Sequence, residues 1–417
     1  MDKTLNIGLL GLGVVGSGVV EVLARQQEKL RDETGIKIQI VKSLVRVGED
    51  KSQIAQKYGF ELVTDIQDII KDPNIDVVVE LIGKVHPAKE FITQALENGK
   101  HVVTANKDLI AQHGVELNQV AKSHQVSLFY EASVAGGIPI LRTMTNNYLA
   151  DEITNVLGIV NGTTNYMLTK MLTEGLSYDE ALQKAQELGF AESNPTNDVD
   201  GIDAAYKMVI LSQFAYGMDV KMSDLSIEGI RQVSAEDVAF AKKAGYEIKL
   251  IGRTRKIQDA IEVSVGPTLV SVNHPLASIK NEYNGVYLES TGINQSMFYG
   301  PGAGALPTAT SVVSDLLAIA INRKNQQPAP LFNNYHRPTK LLHDSQIVDR
   351  HYLYIQANQI NEIVAIISEY KLVYQQQSDE KYQVILDDIA KDKLQQLIHK
   401  LSDYATMIRV MKVIETK

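Results

Sequence analysis

The chain has 417 residues, 44% of them hydrophobic and 22% charged, with a formal net charge of −9 and no cysteine. That length exceeds one ordinary core and predicts two or three domains. The acidic balance, with no basic stripe to offset it, excludes a nucleic-acid binder, and the missing cysteine excludes disulfides, thiolate zinc sites and a cysteine nucleophile.

The N-terminus is broken by glycines and lacks a signal peptide's charged start, and no run of about 18 uninterrupted apolar residues follows. The expectation is a cytoplasmic protein for small molecules or proteins, with no membrane partner. Through residue 130, short apolar runs alternate with helical patterns: LNIGLLG, IQIVKSLV, DVVVELI, HVVTA and VSLFYEA. That rhythm predicts an α/β domain, a parallel sheet with helices on both faces.

Directly after the first run, Gly11-Leu12-Gly13-Val14-Val15-Gly16 spells GxGxxG. Gly11 permits the tight turn, Gly13 lets backbone approach a pyrophosphate, and Gly16 lets helix pack on strand. The helix N-terminus adds free N–H groups and a partial positive charge. Glycine turns also join strands to helices for packing alone; at the start of a parallel α/β domain the reading is a dinucleotide site. The second strand ends in Arg46, with Lys51 nearby and no acid before Glu49. Arginine there suits a 2′-phosphate, favouring NADP with NAD as the second choice; the plain alternative is a surface residue at a strand end.

From about 150 the rhythm changes. ITNVLGIVNGTT reads as a strand entering a glycine turn, followed by helices near 163–174, 177–188, 202–216 and 234–245. Strands YEIKLIGRTR, AIEVSVGPTLV, GVYLEST and QSMFYG then suggest an α+β domain with a mostly antiparallel sheet. GPGAG and a long apolar helix return the chain to the first domain. The stretch 322–340, rich in proline and amides, reads as a linker. After it the pattern is βαββαβ, a ferredoxin-like unit of about 70 residues that needs something to dock on.

Within NDVDGIDAAYKMVIL (197–211), Asp203 and Lys207 stand in an apolar helix, and Asp200, Asp203 and Lys207 share a face by i, i+3, i+7 spacing. Two readings are open from the residues alone: an ion pair, or a reaction centre.

Several stretches together resemble homoserine dehydrogenases: ELIG (80–83), HVVTANK (101–107), YEASVAGGIPIL (130–141), NGTTNYML (161–168) and AQELGFAESNPTNDVDGIDAAYK (185–207). The resemblance runs from about residue 5 to 325 and departs at Lys84, where relatives usually carry glycine. It implies NAD(P)-linked interconversion of L-aspartate 4-semialdehyde and L-homoserine on the route to threonine and methionine. Lys207 matches the proton donor, a role that suits a lysine whose pKa burial lowers. Lys107 matches a contact to substrate and cofactor that shares the proton path. Glu192 matches the residue binding the substrate's amino group, with Asp198 and Asp203 completing an acidic pocket. In relatives, Glu131 and the carbonyls of Val134, Gly136 and Ile138 hold a monovalent cation such as sodium, for which an all-oxygen shell is suited. Gly302 or Gly304, and Gly189, are expected near the cofactor.

The expected division is therefore 1–132 plus about 301–325 for dinucleotide binding, 133–300 for substrate and dimerisation, a linker at 326–349, and 350–417. The last unit resembles an ACT domain, but the segment after its first strand, QANQINEIV, has neither the acid nor the Pro-Gly pair of the usual ligand loop. Either the L-threonine response is lost or altered or the unit is only an assembly interface; a weak or absent response is expected, with retained inhibition by L-threonine as the alternative, in a homodimer or homotetramer. The rivals are another Rossmann-fold oxidoreductase for an amino-acid aldehyde or keto acid, and a catalytically silent nucleotide sensor. Glu192, Asp203 and Lys207 argue against the sensor.

Overall fold

The computed structural model describes residues 3–334 and 337–416; positions 335 and 336 of the expected linker, and residues 1, 2 and 417, lie outside the described residues. Strands β1 (Lys3–Leu10), β2 (Ile36–Leu44), β3 (Glu61–Val63), β4 (Val77–Glu80), β5 (His101–Thr104) and β6 (Leu128–Phe129) form a sheet in the order β3-β2-β1-β4-β5-β6. Every pairing in it is parallel. This is the doubly wound order of dinucleotide-binding domains. The apolar runs are continuous because central parallel strands are covered on both faces: Leu5, Ile7, Leu9, Leu10 and Val77 to Val79 are all fully buried. The three-residue β3 was not foreseen.

A second, mixed sheet holds β7 (Ile153–Ile159), β8 (Ser226–Ile227), β9 (Tyr246–Ile257), β10 (Ala260–Ser271), β11 (Tyr283–Ser290), β12 (Asn294–Pro301), β13 (Val348–Ala357), β14 (Leu372–Gln377), β15 (Lys381–Ala390) and β16 (Ala405–Ile414). Its order is β12-β11-β7-β9-β10-β16-β13-β15-β14, with β8 also on β10. The expected antiparallel character holds for β7, β9, β10 and β11. The C-terminal βαββαβ succession is present, with its own core of Leu353, Ile355, Ile363, Ile367, Val384, Leu386, Leu397 and Leu401.

That C-terminal region does not stand as a separate body. β16 pairs in parallel with β10 from Thr268–Lys412 to Val270–Ile414, so one sheet runs through both regions. A buried ionic cluster lies under the seam. Arg253 on β9 donates to both carboxylate oxygens of Asp349 on β13, at 2.8 and 2.6 Å, and to Glu262 on β10 at 2.8 Å. Arg255 adds a 3.1 Å bond to Asp349, and Lys412 on β16 bonds Glu262. A small unit with a marginal core gains the docking surface it needs by extending a neighbour's sheet.

The chain divides into two compact units, 1–152 with 209–222 and 300–338, and 153–208 with 223–299 and 339–417. Segments 133–152 and 209–222 thus go with the nucleotide-type sheet, where the sequence boundaries placed them in the second domain. Aromatic packing in the first unit accounts for this: Tyr130 and Phe214 both lie edge-on to Phe332, with centroids 5.1 and 5.0 Å away. One helix, Ala305–Lys324, is long and apolar enough to cross a membrane by length and composition. Asp315 in its middle is fully buried and paired with Arg142, the arrangement of a core helix.

Candidate active site

In the first unit, the turn after β1 is built as the glycines require. Gly11 has φ +97°, and a Cβ on Gly16 would come within 2.2 Å of the Gly11 carbonyl oxygen. Gly13 caps the helix Val14–Thr34, and a Cβ there would meet nothing within 4 Å. Its glycine is therefore unexplained by the chain's own packing and fits the close approach of a phosphate. Leu12 is buried, Val15 half-buried, and Val14 is 73% exposed at the helix N-terminus. Arg46 is exposed just beyond β2, and its guanidinium has no partner among the described residues. Glu49, the first acid after it, lies 3.4 Å from Lys51.

At the ends of β4 and β5 a buried chain of hydrogen bonds shapes two loops. Glu80 accepts from Thr104 Oγ1 at 2.6 Å and from the N–H of Ile82 at 2.6 Å. Asn106 donates to the Lys84 carbonyl at 2.9 Å and caps the helix Lys107–Ser123 by accepting from Leu109 N–H. Burial pushes the Glu80 carboxyl upward against these bonds. Lys107 is the first residue of that helix, with Asp108 3.6 Å away. Lys84 has φ −114° and ψ 150°, extended backbone open to any residue, so replacing glycine there leaves the loop shape intact.

The turns at 133–139 and 300–304 meet through Gly137 N–H, which donates to the Pro301 carbonyl at 3.3 Å, and through Ser311 Oγ, which donates to Gly136 at 2.7 Å. This places Gly302 beside Gly136, and Gly304 caps the helix Ala305–Lys324. Glu131 is buried, and its two oxygens accept from Leu141 and Arg142 N–H at 2.8 and 2.7 Å. Burial, with Asp315 close by, pushes its carboxyl up to about 7; burial lifts Asp315 to about 6 against the pull of Arg142. Val134 and Ile138 are buried, and the Ile138 carbonyl accepts from Ile140 N–H at 2.8 Å.

In the second unit, Lys207 Nζ donates to Asp203 Oδ2 and to the Val160 carbonyl, both at 2.7 Å. The Lys207 and Asp203 side chains are each only 12% exposed. Ala204, Ala205, Met208, Val209, Ile210 and Leu211 around them are buried. Two of the three ammonium N–H groups are used, which leaves one to donate. Asn161, at the end of the β7 segment, donates to Asp198 Oδ1 at 2.7 Å and to Asp203 Oδ2 at 2.9 Å. Asp198, Asp203 and Lys207 are therefore brought together.

Asp200 is not on their face: its carboxylate pairs with Arg231. The helix starts only at Ile202, after Gly201 at φ +79°, so helical spacing does not extend back to Asp200. Glu192 is exposed in the preceding loop, and its carboxylate has no partner among the described residues. Gly189, at φ +74°, follows the helix Tyr178–Glu187, and its N–H donates to the Gln186 carbonyl, a helix-stop role.

Profiles described as homoserine dehydrogenase and as the homoserine dehydrogenase NAD-binding domain match residues 139–317 and 11–131. The chain belongs to the homoserine dehydrogenase family. It is 47% identical to the Lactococcus lactis homoserine dehydrogenase over 357 residues, 85% of this chain and 83% of that one. The crystal structure of a homoserine dehydrogenase from Thiobacillus denitrificans superposes with a TM-score of 0.93 at 34% identity, covering 99% of each chain. A hyperthermophilic archaeal homoserine dehydrogenase in complex with NADPH gives a TM-score of 0.66 at 27% identity, over 78% of this chain and 99% of that one. The protein is thus a homoserine dehydrogenase, an NAD(P)-dependent oxidoreductase.

For this enzyme, Asn161 is the group that motif reading passed over. Its oxygen also accepts from Thr164 N–H and Oγ1, both at 2.9 Å, so both ends of the amide are committed. The signal was present as the first residue of NGTT, which reads equally as a helix cap. Asn161→Ala removes two charge-assisted bonds of roughly 1.5–3 kcal/mol each. We expect it to lower kcat/KM for homoserine by about 10- to 100-fold while cofactor affinity is unchanged; wild-type kinetics would reduce Asn161 to a helix cap.

Proposed function

We propose that the enzyme interconverts L-aspartate 4-semialdehyde and L-homoserine, with Lys207 as proton donor to the carbonyl oxygen in the reducing direction. The observation that carries this is the buried Lys207 ammonium, fixed by Asp203 and Val160 with one N–H left over. The nicotinamide cofactor, when bound to the Gly11–Gly16 turn, supplies the hydride to the aldehyde carbon or takes it back from the alcohol. As the oxygen gains electrons, Lys207 gives it a proton; in the reverse direction the neutral amine removes the alcohol proton. Asp203 holds the ammonium in place through the cycle. Asp198 and Asp203 bind the substrate's ammonium group, Glu192 joins them from its loop, and Lys107 is the second amine assigned to substrate and cofactor.

NADP is the preferred cofactor. Arg46, whose guanidinium has no partner among the described residues, is suited to a 2′-phosphate, and a relative in complex with NADPH supports that choice. A monovalent cation, sodium by preference, fits Glu131 and the carbonyls of Val134, Gly136 and Ile138. A carboxylate pushed up by burial is short of positive charge, and oxygens that accept one hydrogen bond keep a second lone pair. The enzyme works in the cytoplasm as a homodimer or homotetramer, in the synthesis of threonine and methionine. Its C-terminal region is an ACT-like unit whose loop after β13 lacks the usual acid and Pro-Gly, so L-threonine acts weakly there.

Lys207→Ala is expected to cut kcat by at least about 10²-fold while NADP affinity, measured by fluorescence titration, stays within a factor of two. Near-normal turnover removes Lys207 from the reaction. In steady state, kcat/KM with NADPH should exceed that with NADH, and millimolar L-threonine should leave the rate nearly unchanged. A clear NADH preference sinks the role given to Arg46, and strong inhibition sinks the reading of the loop. Replacing choline chloride by sodium chloride at constant ionic strength should raise the melting temperature of the wild type but not of Glu131→Gln; equal responses discard the cation site.

A further inference from the structure

We propose that Asn165 is a positioning residue for the reaction: it ties the first turns of the helix Gly162–Glu174 to segment 279–283 and so holds Asn161 on Asp198 and Asp203, a role that rests on the function proposed for those two acids. The need for such a tie lies in the sheet. Strand β7 pairs with β11 only as far as Ile159–Gly285, and with β9 only as far as Gly158–Gly252. Asn161 stands past the last of these pairs, so the ladder does not fix it. It is the cap of the helix that follows, and its carbonyl accepts from Asn165 N–H at 3.3 Å. Where Asn161 sits is therefore set by where that helix begins.

The helix is pinned along one face. Gly162, Asn165 and Thr169 follow i, i+3, i+7 spacing, and all three meet segment 279–283. A Cβ on Gly162 would come within 2.6 Å of the Glu282 carbonyl oxygen. One turn further, Thr169 Oγ1 accepts from Asn281 N–H at 3.0 Å. Between them lies Asn165, only 1% exposed, whose Nδ2 donates to the carbonyls of Asn281 and Tyr283 at 2.8 and 3.1 Å. The segment can turn these carbonyls toward the helix because Asn281 adopts φ +54°, a conformation asparagine tolerates.

A buried amine orients the amide. Lys249 on β9, 1% exposed, donates to Asn165 Oδ1 at 3.2 Å and to the Ile279 carbonyl at 2.6 Å. An amine this placed donates and the segment's carbonyls accept, so Oδ1 must face Lys249 and Nδ2 must face the segment. Burial, with Lys280 close by, pushes the Lys249 ammonium down to about 8, against the pull of Glu247. The neutral amine still has two N–H groups, enough for both bonds, so the tie holds on either side of that pH. An apolar residue would fill the same space without desolvating an amine. What Lys249 adds is direction: it locks the one amide that joins the helix start to the segment, one turn from Asn161.

The test is a double-mutant cycle on the full-length enzyme, assayed with homoserine and NADP. Asn165→Ala should lower kcat/KM for homoserine by about tenfold, while KM for NADP stays within about a factor of two. Because Asn165 acts through Asn161, adding Asn165→Ala to Asn161→Ala should cost a further factor of about two or less. A merely structural loss, which lowers the folded fraction, would multiply with the Asn161 loss instead. If Asn165→Ala does not fold, Lys249→Met takes its place in the cycle, since it removes the amine and keeps most of the side chain's length. Its own loss should be about threefold, again absorbed in the Asn161→Ala background. The proposal is overturned if the folded variant keeps wild-type kinetics, or if its loss multiplies with that of Asn161→Ala. Near-normal turnover of Lys207→Ala would reassign the proton donor, whereas the cycle leaves Lys207 in place and reads only the coupling of Asn165 to Asn161.

Discussion

The chemistry of the second unit depends on how the chain leaves β7. Two consecutive residues there fix three charged groups: the Val160 carbonyl accepts from Lys207, and the Asn161 amide donates to both Asp198 and Asp203. The amide gives one N–H to each carboxylate, and the Lys207 ammonium adds a second donor to Asp203. The other end of the same amide is locked to Thr164, at the start of the helix Gly162–Glu174. The acids are therefore positioned by a helix terminus rather than by the loop that carries them.

The same unit shows why its sheet had to be continuous. β10 gives one edge to β9 throughout and divides the other between β8 and β16. β8 leads directly into the segment that buttresses 196–200, and β16 is the last strand of the C-terminal region. A two-residue strand has little stability of its own; it persists because Glu228 and Ile230 continue its hydrogen bonds on either side. The loop 196–200 and the C-terminal region thus share one strand as a common support.

Much of this was legible in sequence, and what was not shares a physical cause. The parallel sheet was visible because central strands must be apolar throughout, and the glycine turn because Gly11 and Gly16 answer local geometric needs. The helix with Asp203 and Lys207 was visible as charge inside an apolar run. Residues whose partners are distant in sequence were missed: Asn161 to Asp198, Glu80 to Thr104, and β10 to β16. Nothing in the local pattern encodes those pairings. The grouping of Asp200 with Asp203 and Lys207 failed for a related reason. Helical spacing was extended one turn too far, across Gly201, whose φ of +79° stops it. At Lys84, where the resemblance departs, the backbone is extended and the carbonyl accepts from Asn106.

A nearly buried ion pair is a weak stabiliser, since desolvation of both groups offsets most of their attraction. Asp203 and Lys207 are nonetheless enclosed by one of the most apolar helices of the chain, with Met208 to Leu211 fully buried beside them. Stability alone does not explain that choice, because apolar residues at both positions would pack the helix at least as well. Chemistry does. With water largely excluded, the ammonium has few competing partners, and two of its hydrogens are already bound to fixed oxygens. The third is left with a defined direction, which is what proton transfer in a transition state requires. The apolar helix supplies the burial, and Asp203 and the Val160 carbonyl set the orientation of the lysine within it.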